Sequence, residues 1–428
     1  MDFNLLHPRE IIVMLMARVY RYGMTTTSGG NLSIREENGD IWITPAAIDK
    51  GTLRSEDIIC VKADGTIVGR HRPSSEFPFH KAIYEMRPDL RGIVHAHPCA
   101  LVAFSLVRQT PPTHILPQAR EVCGHVGYAP YALPGSVELG RNLATAFRDG
   151  LDCIIMENHG VACGGTTLLQ AFHRFETLDF CARMVIKATM LGKHQSLTDE
   201  QIALMNHSKN LLPEFEVESR TNAEKEFRRT ICDLAHRAYD QQLMTSTEGV
   251  ISVRLSASEF LITPSRRDRR LLEVADLVLI KAGSRERGKV PSRSVKLHER
   301  IYLDHPEVNA IVSAQAPCAT AFSVSHHPFD TRSIPESYLL LRDVPKIPYG
   351  PQFTDEAVIS ETLSSHTPVI LLENDAVLTT GRHLLEAYDR LEVAEFSARS
   401  LIYANSLGGL KAIGADSIRE LEQHFLGM

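Results

Sequence analysis

Much of this chain is written twice. Ile93-Val94-His95-Ala96-His97, followed by Ala103-Phe104-Ser105, returns at the same internal spacing as Ile311-Val312-Ser313-Ala314-Gln315, followed by Ala321-Phe322-Ser323. Gly30-Asn31-Leu32-Ser33-Ile34-Arg35 matches Gly249-Val250-Ile251-Ser252-Val253-Arg254, and Ile43-Thr44-Pro45 matches Ile262-Thr263-Pro264. Leu168-Leu169-Gln170-Ala171-Phe172 matches Leu384-Leu385-Glu386-Ala387-Tyr388. The period is about half the chain, far beyond the roughly 20 to 50 residues of solenoid repeats. One domain has been duplicated, so the fold must be one that half the chain can complete. Lys193 to Asn222 loses its periodic pattern, which sets the expected organisation as residues 1–207, a linker over 208–222 and residues 223–428.

Each copy of about 200 residues is long enough to bury a core of its own. Pro8 to Tyr22 places Ile11, Ile12, Leu15 and Val19 on one helical face, with Pro8 in the first turn, where a missing N–H costs little. Leu32 to Arg35 and Asp40 to Thr44 read as one hairpin; Ile58 to Lys62 and Thr66 to Val68, flanking Asp64-Gly65, read as another. Phe79 to Glu85 is a short helix closed by Arg87-Pro88. Thr167 to about Thr189 is a long one, with Leu168, Phe172, Phe175 and Leu178 at helical spacing as core residues. Hairpin-paired strands with helices at both ends predict an α+β or layered α/β/α domain around a mainly antiparallel sheet.

The formal net charge of -6 gives no basic footprint for nucleic acid. The eight cysteines form no CxxC pair and read as reduced core thiols. Asp2, Arg9 and Glu10 interrupt the apolar residues of the first helix, which fits neither a signal peptide nor a membrane span. The expectation is a soluble cytoplasmic protein acting on a small molecule, with no nucleic-acid or membrane partner.

The chemistry gathers around Gly92-Ile93-Val94-His95-Ala96-His97-Pro98. Its apolar lead-in reads as a buried strand, and side chains at i and i+2 share a face, so His95 and His97 project together. A third imidazole, His159, follows the apolar run Cys153 to Met156 in a turn that Gly160 permits. Three neutral histidines with one coordination position open make a catalytic zinc site rather than a structural one, although imidazole also accepts cobalt, nickel or iron. Alone, the His95/His97 pair fits satisfied core histidines equally well. Glu76, in Pro73-Ser74-Ser75-Glu76, alone fits an ordinary acid in the first turn of a helix.

Taken in order, Ser28-Gly29-Gly30-Asn31-Leu32-Ser33, Ile43-Thr44-Pro45, Pro73-Ser74-Ser75-Glu76, His95-Ala96-His97, Ala129-Pro130-Tyr131 with Pro134-Gly135-Ser136, and Asn158-His159-Gly160 make residues 8–195 similar to the class II aldolase/adducin family. The resemblance implies two tandem α/β/α domains and one divalent cation per chain, zinc foremost, held by His95, His97 and His159. It further implies Glu76 as catalytic residue and Gly30, Asn31, Ser74 and Ser75 as a phosphate cradle. The chain departs from the family's sugar-phosphate aldolases in two places. Ala46-Ala47 stand where a phosphate-binding Thr-Gly is expected, and Ile115 takes the place of a proton-donating tyrosine. His114, Tyr128 and Tyr131 are then candidate acids, each also readable as a surface or structural residue.

The function implied is metal-dependent cleavage of a C–C bond in a small sugar, sugar phosphate or sugar acid, through an enediolate that the metal stabilises while Glu76 shuttles the proton. Decarboxylation, epimerisation and dehydration are alternatives on the same fold, and a glutamate rather than an aspartate at position 76 weighs against epimerisation. A non-catalytic, adducin-like scaffold is the other class of reading. The family's fourfold rings imply a homo-oligomer, either two chains in a pseudo-fourfold ring or a chain tetramer.

The second copy has Ser313, Gln315 and Asp375 at the ligand positions, Ser294 for Glu76 and Val250 for Asn31. No three-histidine site can form there. Glu157/Glu373, Asn158/Asn374, Glu176/Glu392 and His80/His298 survive the loss and are read as architecture.

Overall fold

Antiparallel pairing of neighbours in sequence builds most of the first sheet, seen in a computed structural model that describes residues 3–206 and 212–427. Helix α1 (Pro8–Arg21) leads into β1 (Asn31–Arg35), β2 (Ile41–Ile43), β3 (Ile59–Val61) and β4 (Ile67–Val68). Then come α2 (Phe77–Met86), β5 (Gly92–Ala96), α3 (Cys99–Leu106), α4 (Pro117–Cys123), β6 (Val126–Ala129), α5 (Val137–Arg148), β7 (Cys153–Met156), β8 (Gly160–Gly165) and α6 (Leu168–Leu191). The strand order is β4-β3-β2-β1-β5-β8-β7-β6, and only the β6–β7 pair is parallel. Both predicted hairpins form, the second turning through Gly65 at φ +90°.

The period-2 alternation of β5 decides where the site lies. Ile93 faces the core that α2 and α5 complete with Phe79, Ile83, Leu139, Leu143 and Phe147. Each such side chain contributes about 1.5 to 3 kcal/mol of burial. His95, two residues on, shares that face at the strand's end.

Two compact units result. The first comprises the residues up to 113 together with 119–183; the second comprises 114–118 and the residues from 184 onward. The second contains the sheet β15-β16-β17-β14-β10-β11-β12-β13-β9. Its strands are β9 (Glu214–Phe215), β10 (Val250–Arg254), β11 (Glu259–Ile262), β12 (Val278–Lys281), β13 (Ser284–Glu286), β14 (Ala310–Ala314), β15 (Lys346–Ile347), β16 (Val369–Leu372) and β17 (Val377–Gly381). Register is conserved between the copies: Asn31 opposes His95 in one, and Val250 opposes Ser313 in the other. Of the expected linker, residues 208–211 lie outside the described residues, Glu214–Phe215 form the parallel edge strand β9, and Thr221 caps the helix Asn222–Asp240. Within the second unit Asn374 Nδ2 donates to the carbonyls of Ile115 (2.8 Å) and Gln195 (2.9 Å), and Gln118 bonds Arg293 and the Thr247 carbonyl. Among the described residues no helix is long and apolar enough to cross a membrane.

Candidate metal centre

Three strands deliver the imidazoles. His95, fully buried on β5, donates from Nδ1 to the Val161 carbonyl at 2.9 Å. A carbonyl only accepts, so the His95 proton is on Nδ1 and the lone pair of Nε2 faces the cluster. His97, just past β5, sets its Nε2 3.1 Å from that nitrogen. His159 sits in the β7–β8 turn, and one ring nitrogen from each histidine lies within 4.8 Å of the others. The turn differs from expectation. Asn158, not Gly160, takes the left-handed conformation, at φ +52°. Gly160 is needed for close approach, because a Cβ there would lie 2.6 Å from the Ala96 carbonyl oxygen and 2.7 Å from the His97 ring.

Glu76 is the residue immediately before α2, yet its side chain makes no capping bond. It turns inward, with Oε2 3.1 Å from His95 Nε2 and Oε1 3.2 Å from His159 Nε2. Burial raises its carboxyl, but His95 and His159 outweigh that and hold it well below the usual carboxylate range. Burial, with His95 and His159, pushes His97 down to about 3, so its imidazole is neutral. Oε1 is buried and has His159 at ion-pair distance but no hydrogen bond. Three nitrogens and a carboxylate converging this closely suit a divalent transition cation, which would satisfy the lone pairs that otherwise oppose one another.

Behind the cluster runs a hydrogen-bonded chain. Asn31 Nδ2 donates to Glu76 Oε2 at 2.7 Å, and its Oδ1 is bonded by His80 Nε2. His80 Nδ1 meets Ser33 Oγ at 2.7 Å, which meets the Tyr84 hydroxyl at 2.8 Å. Burial first, then His95, pushes His80 down to about 3. The neutral ring therefore donates from Nε2 and accepts at Nδ1. Copy two repeats the far half: Ser252 Oγ lies 2.8 Å from His298 Nδ1 and 2.7 Å from the Tyr302 hydroxyl. There the chain stops, with the buried His298 Nε2 lacking a hydrogen bond. His80 is thus structural, as its counterpart suggested, and in copy one it also reaches the site.

A pocket of about 170 Å³ opens on this centre; Gly30, Asn31, Ser74 and Ser75 line it beside Glu76, His97 and His159. The Asn31 carboxamide is engaged at both ends. Ser74 Oγ accepts from the Glu76 N–H at 3.3 Å, a contact that Ser292 and Ser294 repeat at 3.5 Å in copy two. Ala47 holds φ +55°, the backbone a glycine would favour, and its counterpart Arg266 does the same. Neither Tyr128 nor Tyr131 lines the pocket, and Tyr131 is 57% exposed. His114 belongs to the second unit, its Nε2 3.1 Å from Asp199. Ile115 is buried in that same unit. Sequence reasoning missed Lys50, which also lines the pocket. The available signal was Arg269, a cation at the same distance after the repeated Ile-Thr-Pro.

Fold and cluster together define a metal-capable α/β domain in copy one and its ligand-free double in copy two. The chain belongs to the class II aldolase/adducin family: the family model "Class II Aldolase and Adducin N-terminal domain" matches residues 10–186 and again 229–402. It is similar to 3-oxo-tetronate 4-phosphate decarboxylase of Haemophilus influenzae, 30% identical over 45% of this chain and 93% of that protein. It is similar to L-fuculose phosphate aldolase of Methanococcus maripaludis, 33% identical over 41% of this chain and 92% of that one. A solved L-fuculose 1-phosphate aldolase is 29% identical, covering 48% of this chain and 95% of its own at a TM-score of 0.43.

Proposed function

We propose that copy one is a divalent-metal-dependent lyase, with zinc the metal, that breaks a carbon–carbon bond beside a carbonyl in a small sugar phosphate or sugar acid. The observation that carries this reading is Glu76 wedged between His95 and His159, at 3.1 and 3.2 Å, in a pocket open to a small molecule. A bound cation supplies Lewis-acid stabilisation of charge developing on a substrate oxygen. The chain's own residues do the rest. Val161 fixes His95 in the ligating tautomer, and Asn31 anchors Glu76 by Oε2, leaving Oε1 to take a proton from the substrate and return it. Gly30, Ser74 and Ser75 receive the end of the substrate away from the reacting bond.

Decarboxylation is the second reading. It loses carbon dioxide where aldol cleavage loses an aldehyde, and can use the same proton shuttle. The similarity to a 3-oxo-tetronate 4-phosphate decarboxylase, with Ile115 in place of a tyrosine acid, favours it. Purified chain should carry one divalent metal and be screened against ketose phosphates and 3-oxo acid phosphates. Aldehyde release supports aldol cleavage, and carbon dioxide without aldehyde selects decarboxylation. A chain without bound metal, inert even after metal is added, would overturn both. As to assembly, two chains in a pseudo-fourfold ring is the arrangement that light scattering would test against a chain tetramer.

A further inference from the structure

Four of the eight cysteines, Cys123, Cys153, Cys163 and Cys181, are buried together in copy one. Two of them share a rung of the sheet: Cys153, the first residue of β7, lies directly opposite Cys163 of β8, and both are 0% exposed. The next rung is closed by the Gly164 N–H, which donates to the Asp152 carbonyl at 2.8 Å, so the Cys153–Cys163 rung carries no ladder bond. Opposed residues on such a rung lie about 4.5 Å apart at Cα, inside the window of about 4.4 to 6.8 Å that a disulfide spans. Their side chains share one face. It is the face away from Ile154, Met156 and Ala162, which enter the core under α2 and α5.

All four are free thiols. Cys123 and Cys181 have backbone acceptors, the carbonyls of Arg174 at 3.4 Å and Pro112 at 3.9 Å. Cys153 faces sulfur instead: contact with Cys123 and then Cys163 pulls its thiol down against burial, and the Arg174 charge adds to the pull. Burial and Cys153 push Cys163 up. The rung thus pairs a thiol that ionises readily with one that keeps its proton.

Copy two builds the same rung without sulfur. Val369 of β16 opposes Thr379 of β17, whose hydroxyl has the carbonyls of Ala387 (2.7 Å) and Val312 (3.2 Å) as acceptors. Cys123, the last residue of α4, becomes Leu341, the last residue of the helix Pro335–Leu341, and Cys181 of α6 becomes Ser397 of the helix Leu384–Ser406. The strands and helices persist, and no cysteine does. By the comparison between copies, these thiols are not needed for the fold.

We propose that Cys153 and Cys163 are a modification site, closed by a peroxide into a disulfide that staples the foot of the β7–β8 hairpin whose turn carries His159. One peroxide balances the step. The Cys153 sulfur takes a hydroxyl from the peroxide to become a sulfenic acid, and its proton leaves with the other oxygen as water; the Cys163 sulfur then attacks Cys153, expelling that hydroxyl with its own proton as a second water. Two electrons pass from the thiols to the peroxide. Because neither sulfur meets solvent, the oxidant must be small and uncharged, entering beside half-buried Leu151 and Asp152 where β7 begins. The site goes beyond the lyase reading and does not depend on it.

The test is hydrogen peroxide added to the reduced full chain, then an acid quench, alkylation in denaturant and peptide mass mapping, with oxidation of the exposed Cys99 showing that the dose was sufficient. One disulfide, Cys153–Cys163, should form and be reversed by dithiothreitol. Hydrogen exchange in β7 and β8 should slow by about tenfold or more in the oxidised chain, because a bridge across so short a hairpin restricts its opening. Cys153→Val and Cys163→Thr, each copying the residue at home in copy two, should abolish the bridge and the slowing, while Cys123→Leu should keep both. Oxidised Cys99 beside free Cys153 and Cys163, a bridge from Cys153 to Cys123 instead, or a Cys153–Cys163 bridge that leaves exchange in β7 and β8 unchanged would overturn the proposal.

Discussion

Copy one and copy two share a skeleton of polar contacts that has outlived the chemistry. Glu157 accepts the Tyr131 N–H and Glu373 accepts the Tyr349 N–H, both at 3.2 Å. Asn158 and Asn374 hold φ +52° and +51°. Arg18 pairs with Glu176, and Arg237 with Glu392. Arg35 and Arg254 each hold the carbonyl of a buried tyrosine, Tyr84 or Tyr302. What differs sits at one end of the sheet, where His95, His97, His159, Glu76 and Asn31 give way to Ser313, Gln315, Asp375, Ser294 and Val250. A residue kept in both copies serves the fold; one kept only in copy one needs another reason to be there.

The largest effect should come from writing copy two into copy one at a ligand. His97→Gln should lose stoichiometric metal and bring turnover to background, because two imidazoles and a carboxylate no longer close the site. Metal analysis and steady-state kinetics read it, and undiminished metal would break the comparison. Glu76→Gln should retain metal and lose about 10² to 10⁴ in turnover, the range for a positioned acid–base group. Wild-type turnover would return Glu76 to the ordinary helix-start acid it resembles in sequence.

How far the molecule was legible beforehand follows from what each signal depends on. The hairpins, the strand carrying His95 and the long α6 rest on local periodicity, which the fold did not override. Glu76 was ambiguous because a glutamate before a helix is usually a solvated acid; only the tertiary approach of β5 and β8 turns it inward. Lys50 carried no signal in its own loop, since a lysine after an aspartate is unremarkable there. Only the folded loop brings it to the pocket. Residues 114–118 belong to the second unit through contacts such as that of Asn374 with the Ile115 carbonyl, a pairing across more than half the chain that no local pattern encodes. The short β9 was hidden for a related reason: two residues, Glu214 and Phe215, become a strand only because β13 offers them an edge.

Metal removal should separate the copies by stability. A ligand present at a hundredfold over its dissociation constant adds about 2.7 kcal/mol to the state that binds it. Chelation should therefore lower hydrogen-exchange protection around β5 and β8 and leave β14 and β17 unchanged. An equal fall in both sheets would mean that the cation is not held by His95, His97 and His159 alone.

The smallest expected effect gives the sharpest comparison, because it uses the contacts both copies keep. Ser33→Ala and Ser252→Ala each remove a buried hydroxyl lying between a histidine Nδ1 and a tyrosine hydroxyl, at nearly the same distances. Leaving those partners unsatisfied should cost about 1 to 3 kcal/mol in either copy, measured by denaturant unfolding. Only in copy one does the histidine continue, through Asn31, to Glu76. Ser33→Ala should therefore also reduce kcat with little change in KM, while Ser252→Ala leaves turnover alone. Equal stability losses with equal, unchanged kinetics would show that the Ser33–His80 contact is architecture in both copies and that Asn31 holds Glu76 without help.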